Sequence, residues 1–180
     1  MIRLSIIILS LLISFTYFYR VESLEQKKSF ESDFFKEVNQ INVSNSIKMY
    51  EAIEKYSKKY KVPKYIAYNV AYKETRYKGP FHWSYNHVQK SYAGALGPMQ
   101  IMLATAKAPV YSDGMKITPE ILMNDIDLNV QISMKILRRN FEKTGSWKLA
   151  CGKYNTGRAI VNDYAVYCST NKNYKNKWVR

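Results

Sequence analysis

Glu74 is the residue of this chain best placed to do chemistry. It stands near the end of the segment Ile66-Ala67-Tyr68-Asn69-Val70-Ala71-Tyr72-Lys73-Glu74-Thr75-Arg76-Tyr77. There Ile66, Val70 and Tyr77, with Ala67 and Ala71, recur at the three-to-four spacing of a buried helix face. Glu74 follows Val70 at i+4 and so extends the same stripe. A carboxyl group that continues an apolar stripe is desolvated, which favours its neutral form and raises its pKa toward the range a general acid needs. On this segment alone the commoner arrangement is a surface Glu paired with Lys73, Arg76 or Lys78, so the assignment turns on the rest of the chain.

Two other stretches carry polar side chains beside turn-forming glycines: Gly97-Pro98-Met99-Gln100 and Tyr154-Asn155-Thr156-Gly157. No second carboxylate joins them. Asp113, Glu120, Asp125, Asp127, Glu142 and Asp163 read as helix caps, turn residues or solvated charges. His82 and His87 have no cysteine near them and no C-x-x-C spacing occurs, so neither a metal site nor a cofactor is expected. The only cysteines are Cys151 and Cys168. They form either a disulfide, worth about 3 kcal/mol in an oxidising compartment, or two buried free thiols.

Helices must position these groups. Ser44 or Ser46 can cap a helix through Tyr60 that turns Ile47, Tyr50, Ile53 and Tyr56 inward. After a short Lys61-Val62 turn, Pro63 suits the first turn of the Glu74 helix. Residues 78–95 lose periodicity and form a long loop rich in aromatics (Phe81, Trp83, Tyr85, Tyr92), which either stack on sugar rings or cover the core. Gly97 to Met102 restarts a helix with Pro98 in its first turn, and Thr118-Pro119-Glu120 starts another. Asp125 or Asp127 caps a longer one that runs through Phe141 and ends at Lys143 and Gly145. Ser146-Trp147 opens a last helical pair, with residues 152–157 between its halves. No alternating strand run appears, so the fold is expected to be mainly α.

The 180 residues suit one domain plus an appendage, and 47% hydrophobic residues with only seven Gly and five Pro rule out a disordered chain. A formal charge of +14 favours polyanions: nucleic acid, anionic lipid or an acidic polymer such as a cell wall. The lysines are scattered along the chain and no nucleic-acid-binding motif is present, so nucleic acid is not expected as a partner. Leu4 to Tyr19 is uncharged and apolar, between Arg3 and Arg20, and no small-residue cleavage pattern follows it. We therefore read residues 1–21 as a signal anchor or signal peptide, 22–43 as a linker or peripheral helix, 44–168 as the domain and 169–180 as a basic tail without assigned structure.

Glu74-Thr75, Gly97-Pro98-Met99-Gln100 and Tyr154-Asn155-Thr156-Gly157, in that order, resemble the soluble lytic transglycosylase (SLT) family of lysozyme-like enzymes. The family pattern is Glu-Ser, then Gly-x-Met-Gln, then Ala-Tyr-Asn-x-Gly, and the likeness spans 44–168. It implies a lysozyme-like helical domain, a peptidoglycan substrate and export to the periplasmic face, anchored in the inner membrane or secreted, with secretion or conjugation machinery as possible company. It makes Glu74 the catalytic acid and base. Thr75 stands for the usual Ser, Gly97 permits a tight turn, and Met99 packs in the cleft. Gln100 bonds N-acetyl groups, Tyr154 orients Glu74 or the sugar, Asn155 holds a neighbouring subsite, and Gly157 starts the next helix. Pro98 and Lys153 depart from the pattern, and Lys153 would oppose the desolvation of Glu74 if it lay close. The chemistry that the likeness implies needs one carboxyl group, because the muramic C6 hydroxyl closes onto C1 and leaves a 1,6-anhydro end; the alternatives are a hydrolytic lysozyme (muramidase) on the same scaffold and a non-catalytic membrane-tethered module that binds glycan or a partner.

Overall fold

The computed structural model describes residues 43–178. The apolar segment 4–19 and the linker to residue 42 lie outside the described residues, and no helix among those described is long and apolar enough to cross a membrane.

Helix α1, Asn45–Tyr60, starts where the Ser44 side chain accepts the Ile47 N–H at 3.4 Å. It buries Met49, Ala52, Ile53 and Tyr56, spaced at three to four residues. The inward face is thus rotated from the expected one: Ile47 and Tyr50 are half-buried at its border. Lys61, in the left-handed region at φ 53°, ends the helix. Pro63 then caps α2, Lys64–Thr75, which buries Ile66, Ala67, Tyr68, Asn69, Val70, Ala71 and Thr75. An element apolar almost all round belongs at the centre of a core, and α2 packs against both α1 and α8 (Asp163–Thr170).

Gly97 to Met102 departs from the sequence expectation. These residues form no helix. Ala95–Leu96 (β1) and Ile101–Met102 (β2) pair antiparallel, Ala95 opposite Met102 and Leu96 opposite Ile101, with Gly97 to Gln100 as the turn. Gly97 at φ 74° and Gln100 at φ 50° both adopt the left-handed region, which a right-handed helix cannot contain. Any Cβ at position 97 would also collide with the Asn129 amide and the Leu122 carbonyl.

Three short helices follow: α3 (Leu103–Ala106), α4 (Pro109–Ser112) and α5 (Pro119–Asn124), the last capped by the Thr118 hydroxyl. The longest helix among the described residues, α6 (Ile126–Thr144), is capped by Asp125 and stopped by Gly145 in the left-handed region. Its apolar face, including Val130, Met134 and Leu137, packs on α1 and on α7 (Trp147–Thr156). Gly157 ends α7 at φ 75°; α8 begins only after Asn162, whose side chain caps it. Gly157 therefore closes one helix and does not open the next.

The basic tail is built into the domain as far as it is described. Tyr174–Lys177 forms a 3-10 turn, and Trp178 packs edge-on to Tyr50 at 5.9 Å and against Tyr68 at 5.4 Å. The aromatic rings supply apolar area that a count of the tail's lysines hides. Asn69, fully buried on α2, donates to the Cys168 and Asn171 carbonyls and so satisfies the C-terminal end of α8.

Candidate active site

Glu74 occupies the last turn of α2, just before Arg76 ends the helix in the left-handed region. It lines a cavity of about 230 Å³ with Ser91, Ala93, Ala95, Gln100, Met102, Tyr154 and Asn155. Burial pushes its pKa from 4.5 up to about 7, against the opposing pull of a hydrogen bond from Tyr164 and the charge of Lys73. The Tyr164 hydroxyl donates to Glu74 Oε1 at 2.5 Å. A phenol has one proton to give, so in the neutral acid the Glu74 proton resides on Oε2. Burial holds Tyr164 itself far above the usual tyrosine range, with the Glu74 charge beside it adding to the effect.

Thr75 points the other way. Its buried hydroxyl donates to the Pro98 carbonyl at 2.8 Å and lies 2.8 Å from the Tyr85 hydroxyl. With the Thr75 proton committed to a carbonyl, Tyr85 is the donor of that second bond. Thr75 thus fastens α2 to the Gly97–Gln100 turn and does not reach the cavity.

The turn itself is held from α6. Asn129, fully buried, accepts the Met99 N–H at 3.0 Å and donates to the Leu96 and Leu122 carbonyls at 3.0 and 2.7 Å. Met99 is wholly buried, so its side chain serves the core beneath the cleft; Met102 supplies the thioether on the cleft wall. Gln100 Nε2 donates to the Gly97 and Gln89 carbonyls at 2.8 and 3.2 Å, which leaves its Oε1 as an acceptor for a ligand.

Tyr154, on the cavity wall, gives its hydroxyl proton to the Met99 carbonyl at 2.7 Å and accepts from Ser133 at 2.9 Å. The tyrosine bonded to Glu74 is therefore Tyr164, and Tyr154 braces the turn. Asn155 is exposed on the wall and receives the Asn162 side-chain N–H at 3.1 Å. A second cavity of about 470 Å³ adjoins the first, sharing Gln100, Met102, Tyr154 and Asn155. Lys153 and Gly157 line this larger space, and the cation acting on Glu74 is Lys73.

Among the described residues Glu74 is the one carboxylate on either cavity wall. Asp125 caps α6; Asp113, Asp127 and Glu142 pair with Lys135, Lys55 and Arg138. Of the loop aromatics, Tyr85 is buried while Phe81, Trp83 and Tyr92 are exposed, and none lines either of these two cavities. Cys151 and Cys168 are buried free thiols, and the Cys151 thiol beside it, together with burial, pushes the Cys168 thiol far up.

Three comparisons bear on this arrangement. No curated protein matches the sequence. By structure, the chain is similar to the 70-kDa soluble lytic transglycosylase of Escherichia coli, with a TM-score of 0.51 and 22% identity over 71% of this chain and 22% of that one. It is also similar to an inactive mutant of the lytic transglycosylase Slt of Pseudomonas aeruginosa, with a TM-score of 0.50 and 18% identity over 71% and 21%. The chain thus spans about a fifth of the length of these proteins, and at this identity the likeness speaks for the fold. The family described as Transglycosylase SLT domain matches residues 51–177, a stretch that holds Glu74, the Gly97–Gln100 turn, Tyr154 and Tyr164 together, and the chain belongs to that family.

Proposed function

We propose that this chain is a peptidoglycan lytic transglycosylase that cleaves the β-1,4 bond between N-acetylmuramic acid and N-acetylglucosamine and leaves a 1,6-anhydro end. The observation that carries the reading is a single buried carboxyl group, protonated up to about pH 7, on a groove whose described walls hold no other. Glycosidases that use water or form a covalent intermediate generally need a second carboxylate. Here the substrate supplies the second group. Glu74 Oε2–H protonates the bridging oxygen, and the bond from that oxygen to C1 breaks with oxocarbenium character at C1. The Glu74 carboxylate, held by the Tyr164 hydroxyl at 2.5 Å, then takes the proton from the C6 hydroxyl as O6 bonds to C1, and the acid is restored.

Proton transfer of this kind contributes about 10²- to 10⁴-fold, and positioning contributes the rest. Gln100 Oε1 accepts an N-acetyl N–H, Asn155 bonds the next sugar, and Tyr154 keeps the turn beneath Gln100 in place through the Met99 carbonyl. The apolar segment 4–19 and the wall substrate favour an exported protein working at the periplasmic face.

The test is digestion of purified peptidoglycan by the full chain with mass spectrometry of the products. We expect 1,6-anhydro ends from the wild type and none from Glu74→Gln. Reducing ends in their place would make the chain a hydrolase and overturn the one-carboxylate mechanism.

A further inference from the structure

The groove does not stop at the reacting centre. Past Gln100, Met102, Tyr154 and Asn155 it opens into the larger cavity of about 470 Å³, and every side chain on that wall except Lys153 is neutral. Lys153 sits in the last turn of α7 and is half-buried. Its backbone carbonyl is taken by the Gly157 N–H at 2.9 Å. Its ammonium group, however, has no carboxylate partner among the described residues and donates to none of the carbonyls at the end of its own helix. A cation drawn partly out of water and left unpaired is at a disadvantage that an incoming anion removes. The acids that neutralise lysines elsewhere in the domain, Glu54, Asp113 and Asp127, are already engaged with Lys64, Lys135 and Lys55.

From this placement, and resting on the transglycosylase reading above, we propose that Lys153 is a specificity-determining residue. It pairs with a carboxylate carried by the saccharide unit in the larger cavity, so that the chain prefers acidic glycan strands to neutral ones of the same length. Muramic acid offers that chemistry from two sources. One is the lactyl carboxylate, free once the stem peptide is removed; the other is a carboxylate of the stem peptide itself. Lys153 lies beyond the groups that act on Glu74, so its contribution falls on binding and not on the proton transfer.

The test measures kcat and KM of the full chain on stem-bearing strands and on amidase-stripped strands, each before and after its carboxylates are blocked as methyl amides. For the wild type, blocking should raise KM about three- to tenfold with kcat little changed. Lys153→Gln should show the raised KM before blocking as well, and Lys153→Arg should keep the preference. The preference should fade between 0.05 and 0.5 M salt, as expected of a charge pair in a groove open to water, roughly. An effect confined to stem-bearing strands assigns the stem carboxylate, and one confined to stripped strands assigns the lactyl group. A blocking ratio that is the same in wild type and Lys153→Gln overturns the proposal. A wild type that releases no anhydro ends from any strand overturns the transglycosylase reading instead, so the two failures are distinguishable.

Discussion

The raised pKa of Glu74 carries a thermodynamic consequence that can be measured without substrate. Below pH 4.5 the carboxyl is protonated in both the folded and the unfolded chain, and it makes no difference to stability. As the pH rises, the unfolded chain ionises freely while the folded chain keeps its proton up to about pH 7. The folded state then binds more protons than the unfolded one, so stability falls across that window and levels off above it. Holding the proton from 4.5 to about 7, at 1.36 kcal/mol per pH unit, corresponds to roughly 3 kcal/mol of lost stability at pH 9. Glu74→Gln removes the ionisation, while its side-chain carbonyl still accepts from Tyr164. Urea unfolding of both proteins at pH 4, 6, 7.5 and 9 is the assay, roughly bracketing the window. The two should be nearly equal at the lowest pH, and Glu74→Gln should be more stable by about 2–3 kcal/mol at the highest, every other titrating group cancelling in the difference. A difference that does not grow with pH would refute the claim that Glu74 is held neutral by burial, and with it the source of the acid.

The other predictions test neighbours of that carboxyl group. Because the Tyr164 hydrogen bond lowers the Glu74 pKa, Tyr164→Phe should move the alkaline limb of the pH–rate profile above pH 7 and cut kcat by about tenfold; an unmoved limb would mean that the bond is not made in the working enzyme. Thr75→Ser should cost less than about 1 kcal/mol, whereas Thr75→Val should cost about 1–3 kcal/mol by leaving the Pro98 carbonyl and the Tyr85 hydroxyl buried without partners. Chemical denaturation of the pair decides this, and equal losses would count against the bond. Trp178→Ala should lower stability by about 2 kcal/mol through lost contact with Tyr50 and Tyr68, and an unchanged midpoint would show the tail to be dispensable.

Much of this site was legible in the chain because its signals are local. The stripe through Ile66 and Val70 placed α2 and pointed to Glu74; Thr118, Asp125 and Ser146 marked helix starts by their own side chains. What escaped was set by distant partners. Pro98 after Gly97 looks like a helix start, yet the left-handed conformations at residues 97 and 100 are fixed by Asn129 on α6, about thirty residues away. Tyr164 reaches Glu74 across 90 positions, and nothing in its own neighbourhood distinguishes it from the other fifteen tyrosines. Lys153 stands next to Tyr154 in sequence, but successive helical residues diverge by about 100° in direction, so Tyr154 lines both cavities while Lys153 lines the larger one alone, and Lys73 is the cation at Glu74.

The departures from the family pattern also become intelligible once one asks which atoms are used. The Gly97–Gln100 turn is the hub to which the other two motifs are tied, and it is gripped by its main chain. Thr75 takes the Pro98 carbonyl, Tyr154 takes the Met99 carbonyl, and Asn129 takes the Met99 N–H. Proline lacks an N–H but keeps its carbonyl, and the carbonyl is the group that Thr75 binds, so Pro98 loses nothing the site requires. Threonine keeps the hydroxyl that serine would offer and adds one methyl group to an already buried position. Side-chain identity is thus free to vary where the backbone makes the contact. At Glu74, Gln100 and Tyr154 the side-chain atoms themselves make the bonds, to Tyr164, to the Gly97 carbonyl and to the Met99 carbonyl, and there it is not.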